Sequence, residues 1–291
     1  MQSEPIRPHA GGCIRQLVFD QADFDAFAAL SGDDNAIHVD PEFCARTRFG
    51  RPVAHGMLLY TVLQGMLGHL LPNHVSAAQK LMFPAPTFAG EAMTFTLGAA
   101  VADGDGLRVP VAVHRVADGV CTCEGTAWMQ PAGQAVPAGD AAPVHQTERA
   151  HGAGRPSGAS GRGLWVGQTA EITRRFAAGD MAAYAALGGE AAGDRVPAPL
   201  IGALFSYLLG VKLPGMGTNY LKQETRYPAP ALLDAAPAHS GEPLTASVTI
   251  TALRPEKHLV DLKTVCVDGR NQCVATGRAL VYARDTGRFD S

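Results

Sequence analysis

The sequence predicts an α+β protein in which one unit, a long apolar helix followed by antiparallel strands, occurs twice in tandem. Three observations support this prediction. The apolar run 56–71 suits a buried helix, and its rise of ~24 Å is too short for the ~30 Å hydrocarbon layer of a bilayer. Strand-like segments separated by Asp-Gly turns follow this run. The same order of features then returns in the second half of the chain.

The elements of the first half follow from apolar spacing. Residues 14–19 predict a strand, and apolar residues at helical spacing predict a helix over 22–30. A polar loop and a short overhang at 41–50 precede the long helix, predicted over 55–70 and ended by Pro72. Alternating patterns predict four more strands, at 77–83, 92–101, 107–116 and 120–129.

The second half repeats these landmarks. Phe176 lies 157 residues after Phe19 and opens the same pattern of apolar residues. The sequence Phe-Pro-Ala-Pro at 83–86 returns as Tyr-Pro-Ala-Pro at 227–230. We therefore expect one supersecondary unit used twice.

The boundary between the units is marked by composition. Residues 132–163 are rich in Gly, Ala and Pro and contain no aromatic residue, which predicts a flexible linker. We expect a first domain over 1–131 and a second over 164–291.

Composition narrows the function classes. The net charge of −3 and the pI near 6.4 provide no basic footprint for nucleic acid. Without an apparent signal peptide or membrane span, we expect a cytoplasmic protein whose six cysteines are free thiols. Cys121, Cys123 and nearby His114 lack a second ligand pair, so no metal site is predicted.

The halves differ most before the long helix. Between Gly32 and Pro52 the first half has 19 residues, whereas only 9 separate Gly189 from Pro199. The second helix, expected over 200–211, is about one turn shorter. The chemistry is therefore expected in the first half.

The polar loop before the long helix carries candidate catalytic groups. Asp33 and His38 can hold one water between a carboxylate and an imidazole. Gly56 opens the long helix, where a free backbone N–H can stabilise a developing oxyanion. The alternatives are structural: Asp33 and Asn35 can form a turn or a helix cap, and His38 can be a buried structural histidine.

The loop and the helix start also resemble a known family. The pattern Ser-Gly-Asp-x-Asn-x-x-His-x-Asp at 31–40, followed by His55-Gly56-Met57, is similar to the MaoC-like, R-specific enoyl-CoA hydratases. Ala36 departs from the family's usual Pro. A helix wrapped by a curled antiparallel sheet, repeated in tandem, likewise resembles the double hot-dog fold.

The resemblance implies a hydro-lyase that reversibly hydrates trans-2-enoyl-CoA to (R)-3-hydroxyacyl-CoA. It implies that Asp33 and His38 act through one water, that the Gly56 N–H stabilises the oxyanion and that Asn35 orients the loop. No metal or redox cofactor is implied. The sequence difference between the halves leads us to expect room for long or bulky acyl groups.

Substrate-binding residues are harder to assign. His55 and Met57 lie at the helix mouth, and the ring of His55 is expected to bond near the helix start. Phosphates of CoA, or of an acyl carrier protein, require cations, although a solvated surface explains each cation equally well. From five candidates we single out Arg51 and Lys222; the five are Arg46, Arg48, Arg51, Lys222 and Arg226.

Two other functions remain open at this point. An acyl-CoA thioesterase keeps the fold and changes the reaction, and a non-catalytic acyl-CoA-binding regulator keeps only the binding. We expect a monomer that is a pseudo-dimer, or a homodimer, and no membrane partner.

Overall fold

The computed structural model describes residues 1–132, 163–190, 195–227 and 241–289. The predicted flexible linker lies outside these described residues except at its two end positions. Within them, no helix is both long and apolar enough to cross a bilayer.

The first half contains eight strands and four helices. The strands are β1 (Gln2–Ser3), β2 (Arg7–His9), β3 (Gly12–Val18), β4 (His74–Met82), β5 (Ala92–Leu97), β6 (Val101–Asp103), β7 (Gly106–Arg115) and β8 (Cys121–Pro131). The helices are α1 (Gln21–Ser31), α2 (Ala36–Val39), α3 (Pro41–Cys44) and α4 (Gly56–Leu70).

The described part of the second half repeats this order in a reduced form. Its strands are β9 (Thr169–Arg175), β10 (Asn219–Arg226), β11 (Pro243–Arg254), β12 (Leu259–Val267) and β13 (Cys273–Tyr282). Its helices are α5 (Ala178–Ala186) and α6 (Ala198–Tyr207), which continues into a π-helical turn (Leu208–Lys212).

One antiparallel sheet connects the two halves. Its main path runs β1-β3-β5-β7-β8-β4-β10-β13-β12-β11-β9, with β2 beside β3 and β6 beside β7. The halves meet where β4 pairs with β10, and at this seam the oppositely charged Lys80 and Glu224 are direct partners. The predicted α+β fold, with antiparallel strands in both halves, is confirmed.

The long helices lie inside the curve of this sheet. Helix α4 is buried on most of its circumference because its residues are almost all apolar. It packs against α6, which is similarly apolar. The two long helices therefore pack together in the core.

The repeat is visible in matching contacts between the halves. Asp33 of the first half packs against Gly210 in the π-helical turn of the second. Glu190, which lies 157 residues after Asp33, packs in the same way against Gly68 of α4. Each long helix thus has a glycine where the acidic residue of the other half approaches.

The expectation of a shorter second helix is wrong. Helix α6 has 10 residues and the π-helical turn adds 5, so the helical segment is as long as the 15 residues of α4. Prolines at the start of α6 fix φ at helical values and begin the helix early. At the other end, the Leu213 N–H donates to the Leu208 carbonyl at 2.7 Å and widens the last turn.

Candidate active site

The site begins where α1 ends. Gly32 adopts φ 78° and closes α1, a conformation that favours glycine. The Asp33 N–H donates to Ser31 Oγ at 3.1 Å, and this hydroxyl donates to the Phe27 carbonyl at 2.6 Å. The loop therefore turns Asp33 towards the interior, where the residue is 1% exposed.

The carboxylate of Asp33 is held by the second half. Ser206 Oγ of α6 donates to Asp33 Oδ2 at 2.6 Å. The other oxygen, Oδ1, is buried and has no hydrogen-bond partner among the described residues. One oxygen is therefore fixed, and the other is free to accept a proton.

His38 is oriented through its other ring nitrogen. Its Nδ1 lies 2.7 Å from the Val53 carbonyl, which can only accept, so Nδ1 carries the hydrogen. This leaves Nε2 of the neutral ring as an acceptor. His38 also stacks on His55 at 3.7 Å between centroids, and His55 Nε2 donates to the Asp33 carbonyl at 2.8 Å. His55 thus connects Asp33 with His38, the two candidate catalytic residues of the polar loop.

The carboxylate and the imidazole lie close enough to share a water. One ligand atom from each of Asp33, His38 and His55 falls within 4.8 Å of the others. Two hydrogen bonds of about 2.8 Å through one water span such a gap. We call Asp33 and His38 the dyad.

Burial shifts the two groups of the dyad in opposite directions. Removal from water raises the pKa of the Asp33 carboxyl, although the charge of His38 and the Ser206 hydrogen bond act against this rise. Removal from water also lowers the pKa of the His38 imidazole, against the attraction of Asp33. Asp33 becomes a stronger base, and His38 stays neutral at neutral pH.

Asn35 joins the loop to the second half. Its Nδ2 donates to the Thr218 carbonyl at 2.9 Å, and its Oδ1 accepts the Gly217 N–H at 2.9 Å. Because both ends of the amide are occupied, Asn35 fixes the loop rather than offering a group to a ligand.

Gly56 begins α4 and lines the same cavity as the dyad. Its N–H is the first of the helix and has no intrahelical acceptor. A Cβ here would lie 2.7 Å from Cζ of Phe83, so the ring covers the glycine closely. This N–H is available to an oxyanion beside the dyad.

The cavity around these groups has a volume of about 230 Å³. Both halves line it, since α6, the π-helical turn and β10 face the dyad loop. From the second half its wall includes Ser206, Leu209, Gly210, Thr218, Asn219 and Tyr220.

The structure therefore brings Asp33, His38, Gly56 and Asn35 together, as the sequence predicts. It does not place the expected substrate-binding residues on the wall of this cavity. His55 and Met57 are completely buried beneath it. Arg51 pairs with Glu91 at 2.6 Å and lies over the Phe88 ring. Lys222 is on β10, opposite Met82 and Leu280.

Asp33, His38 and His55 are also metal-ligand types, and one ligand atom of each lies within 4.8 Å of the others. Two of the ring nitrogens, His38 Nδ1 and His55 Nε2, already bond to carbonyl oxygens. A metal ion would have to be bound through the remaining ring nitrogens and the Asp33 carboxylate.

Sequence reasoning missed the contributions of Ser206 and Gly210. The repeat offered one signal, because Gly210 aligns with Gly68 in the pattern Gly-x-x-Leu-Pro, at 68–72 and 210–214. That alignment gives no indication that the second helix faces Asp33. Only the folded structure brings Asp33 and the second helix together.

The glycine in the π-helical turn allows a testable prediction. A Cβ on Gly210 would lie 2.7 Å from Asp33 Oδ1 and 3.0 Å from Asn35 Nδ2. We expect Gly210→Ala to displace the carboxylate and lower kcat/KM by about tenfold or more, with a stability loss of about 1–3 kcal/mol. Steady-state kinetics and thermal unfolding measure the two effects.

Gly202→Ala is the matched control on the same helix. Its Cβ would meet Met57 Sδ at 2.7 Å, in a flexible side chain that is not part of the dyad cavity wall. We expect a loss of stability without a comparable loss of kcat/KM. Equal losses of activity in both variants would show that Gly210 has no specific role beside Asp33.

The fold and this site correspond to a known class of domain. Residues 8–109 match the family model described as MaoC like domain. The dyad, Asn35 and Gly56 all lie within these matched residues.

Two curated relatives and one solved structure define the likeness further. The (R)-specific enoyl-CoA hydratase of Aeromonas caviae is 47% identical over 78 residues, which are 26% of this chain and 58% of that protein. The 3-hydroxybutyryl-CoA dehydratase of Methylorubrum extorquens is 36% identical over 80 residues, 27% of this chain and 51% of that protein. The alignments thus span about half the length of these relatives.

The solved structure covers nearly the whole chain. A conserved hypothetical protein from Mycobacterium tuberculosis, described as a double hot-dog fold, has a TM-score of 0.67 at 14% identity. The alignment covers 97% of this chain and 96% of that one. The predicted double hot-dog fold is confirmed.

Proposed function

We propose that this protein is a hydro-lyase that adds water reversibly to a trans-2-enoyl thioester and forms an (R)-3-hydroxyacyl thioester. One observation carries the proposal: Asp33 Oδ1 is buried and unpaired beside His38, in a cavity that Gly56 also lines. The named activities of the curated relatives, a hydratase and a dehydratase, support the same reaction class.

The dyad can position and activate the attacking water. The water donates one hydrogen bond to Asp33 Oδ1 and the other to His38 Nε2, so an oxygen lone pair faces C3 of the substrate. Asp33 takes a proton as the C3–O bond forms and the C2–C3 double bond opens. The same carboxyl then delivers a proton to C2, which completes the addition of one H₂O and restores the carboxylate.

The negative charge that develops on the thioester oxygen needs a donor. The Gly56 N–H, with the dipole of α4 behind it, is the proposed donor. The scheme uses proton transfer and hydrogen bonding alone, so we propose that it needs no metal or redox cofactor.

The acyl group and its carrier belong to the same proposal. We propose that long or bulky acyl groups are accepted, because the second half has 9 residues where the first has 19. The other sequence argument for extra space was a shorter second helix, and it no longer applies because the two helical segments are equally long. The carrier is CoA or an acyl carrier protein, and the enzyme acts as a monomeric pseudo-dimer or a homodimer.

A chain-length series tests the reaction and the acyl preference together. Incubation with trans-2-enoyl-CoA substrates of 4 to 12 carbons should cause loss of the enoyl absorbance without release of free thiol. We expect turnover of the 10- and 12-carbon substrates at least equal to that of crotonyl-CoA. Turnover of crotonyl-CoA that greatly exceeded turnover of the longer substrates would contradict the acyl preference but not the hydro-lyase reaction.

The same assay separates the other functions. Thiol release, measured with a thiol-reactive dye, would identify a thioesterase. Binding of acyl-CoA without any turnover would identify a regulator. Either result would contradict the hydro-lyase.

A further inference from the structure

Arg48 is a positive charge at the dyad cavity that no catalytic role uses. It follows α3 in the overhang, is exposed to solvent and contributes to the cavity wall. Its guanidinium carbon lies 4.9 Å from the ring centroid of Phe49 and 4.9 Å from that of Tyr282. The two rings come from different halves of the chain and restrain the side chain between them.

Among the residues that the structure describes, no carboxylate neutralises the charge of Arg48. Within the described part of the chain, no Asp or Glu oxygen forms an ion pair with it, whereas Arg51 in the same overhang pairs with Glu91. A guanidinium that is exposed, uncompensated and restrained by aromatic contacts suits an anion with several acceptor oxygens. Phosphate has this chemistry, and arginine binds it with two parallel hydrogen bonds.

We propose that Arg48 binds a phosphate on the carrier arm of the thioester substrate. This inference rests on the proposed function, since a thioester whose acyl end reaches the dyad must extend its carrier towards solvent. Arg48 is exposed at the cavity wall, where the carrier would leave the cavity. The phosphate belongs either to the phosphopantetheine arm, shared by CoA and acyl carrier protein, or to the nucleotide end found only in CoA.

The test compares Arg48→Ala with wild type on three thioesters of one enoyl group: the CoA, the 4′-phosphopantetheine and the phosphate-free pantetheine thioester. We expect KM for the CoA thioester to rise about tenfold to a hundredfold, with little change in kcat. KM for the pantetheine thioester should not change. Arg48→Lys keeps the charge but loses the two parallel hydrogen bonds. Its KM for the CoA thioester should lie between that of wild type and that of Arg48→Ala.

The phosphopantetheine substrate identifies the source of the phosphate. A raised KM with this substrate assigns Arg48 to the phosphate of the arm, and an effect confined to the CoA thioester assigns it to the nucleotide phosphates. An equal change on the pantetheine thioester, or no change on any substrate, would overturn the proposal. So would a phosphate-dependent effect found in Arg51→Ala and absent from Arg48→Ala.

Arg108→Ala supplies the surface control, since this arginine is an exposed residue of β7 that lies outside the cavity wall. Its KM values should match those of wild type. Calorimetric binding of free CoA and free pantetheine keeps the test independent of turnover. If wild type hydrates no enoyl thioester, the proposed function fails, and weaker CoA binding in Arg48→Ala still decides the role of Arg48.

Discussion

Asp33→Asn is expected to lower kcat for enoyl-thioester hydration by at least about 10²-fold. Asparagine has the same shape and can still accept the hydrogen bond from Ser206 Oγ, which reaches Asp33 Oδ2 at 2.6 Å. It cannot take a proton from water or deliver one to C2. Steady-state kinetics with a matched far-ultraviolet spectrum would show a loss of rate without a loss of fold.

Asp34→Asn is the control for this prediction. Asp34 is adjacent in the loop but exposed, so the same chemical change occurs outside the cavity. We expect kcat within about twofold of wild type. If Asp33→Asn kept most of its activity, Asp33 would not be the group that moves the proton.

His38→Gln is expected to cause the second large loss, again about 10²-fold in kcat/KM, because the flexible amide does not reproduce the fixed position of the imidazole Nε2 that accepts from the attacking water. The pH profile adds a distinct signature. Burial raises the pKa of Asp33 above its usual 3.8 and lowers the pKa of His38 below its usual 6.5. As the pH falls, protonation of either group stops the reaction.

We therefore expect kcat/KM of wild type to decrease as the pH falls, with a slope that approaches two protons. The residual activity of His38→Gln should decrease with a slope of one. His69→Gln, at an exposed position near the end of α4, should keep the wild-type profile. A wild-type acid limb with a slope of one, equal to that of His38→Gln, would show that His38 is not the neutral acceptor proposed here.

Much of the first half could be predicted from sequence because its information is local. The polar loop, the glycine that ends α1 and the helix mouth at Gly56 are each set by neighbouring residues. For this reason Asp33, His38 and Gly56 could be named as one site before their distances were known. The repeat of the same landmarks in the same order also predicted the tandem fold.

The parts that could not be predicted depend on contacts between the halves. The hydrogen bond from Ser206 to Asp33 joins residues 173 positions apart, and no spacing rule indicates it. The length of the second helix was underestimated because its early start at Ala198 and its π-helical turn depend on the surrounding packing. Arg51 likewise pairs with Glu91, 40 positions away. The sequence could not indicate this ion pair, so Arg51 was expected to be available for a phosphate.

The two halves that meet at β4 and β10 contribute different residues to the site. Asp33 lies in one half, while the hydroxyl that holds it and the glycine that makes room for it lie in the other. The first half has Gln64 at the position, four residues before Gly68, that Ser206 occupies before Gly210. Two copies of the first half, assembled without the second, would oppose the longer amide of Gln64 to each Asp33 in place of the short hydroxyl of Ser206.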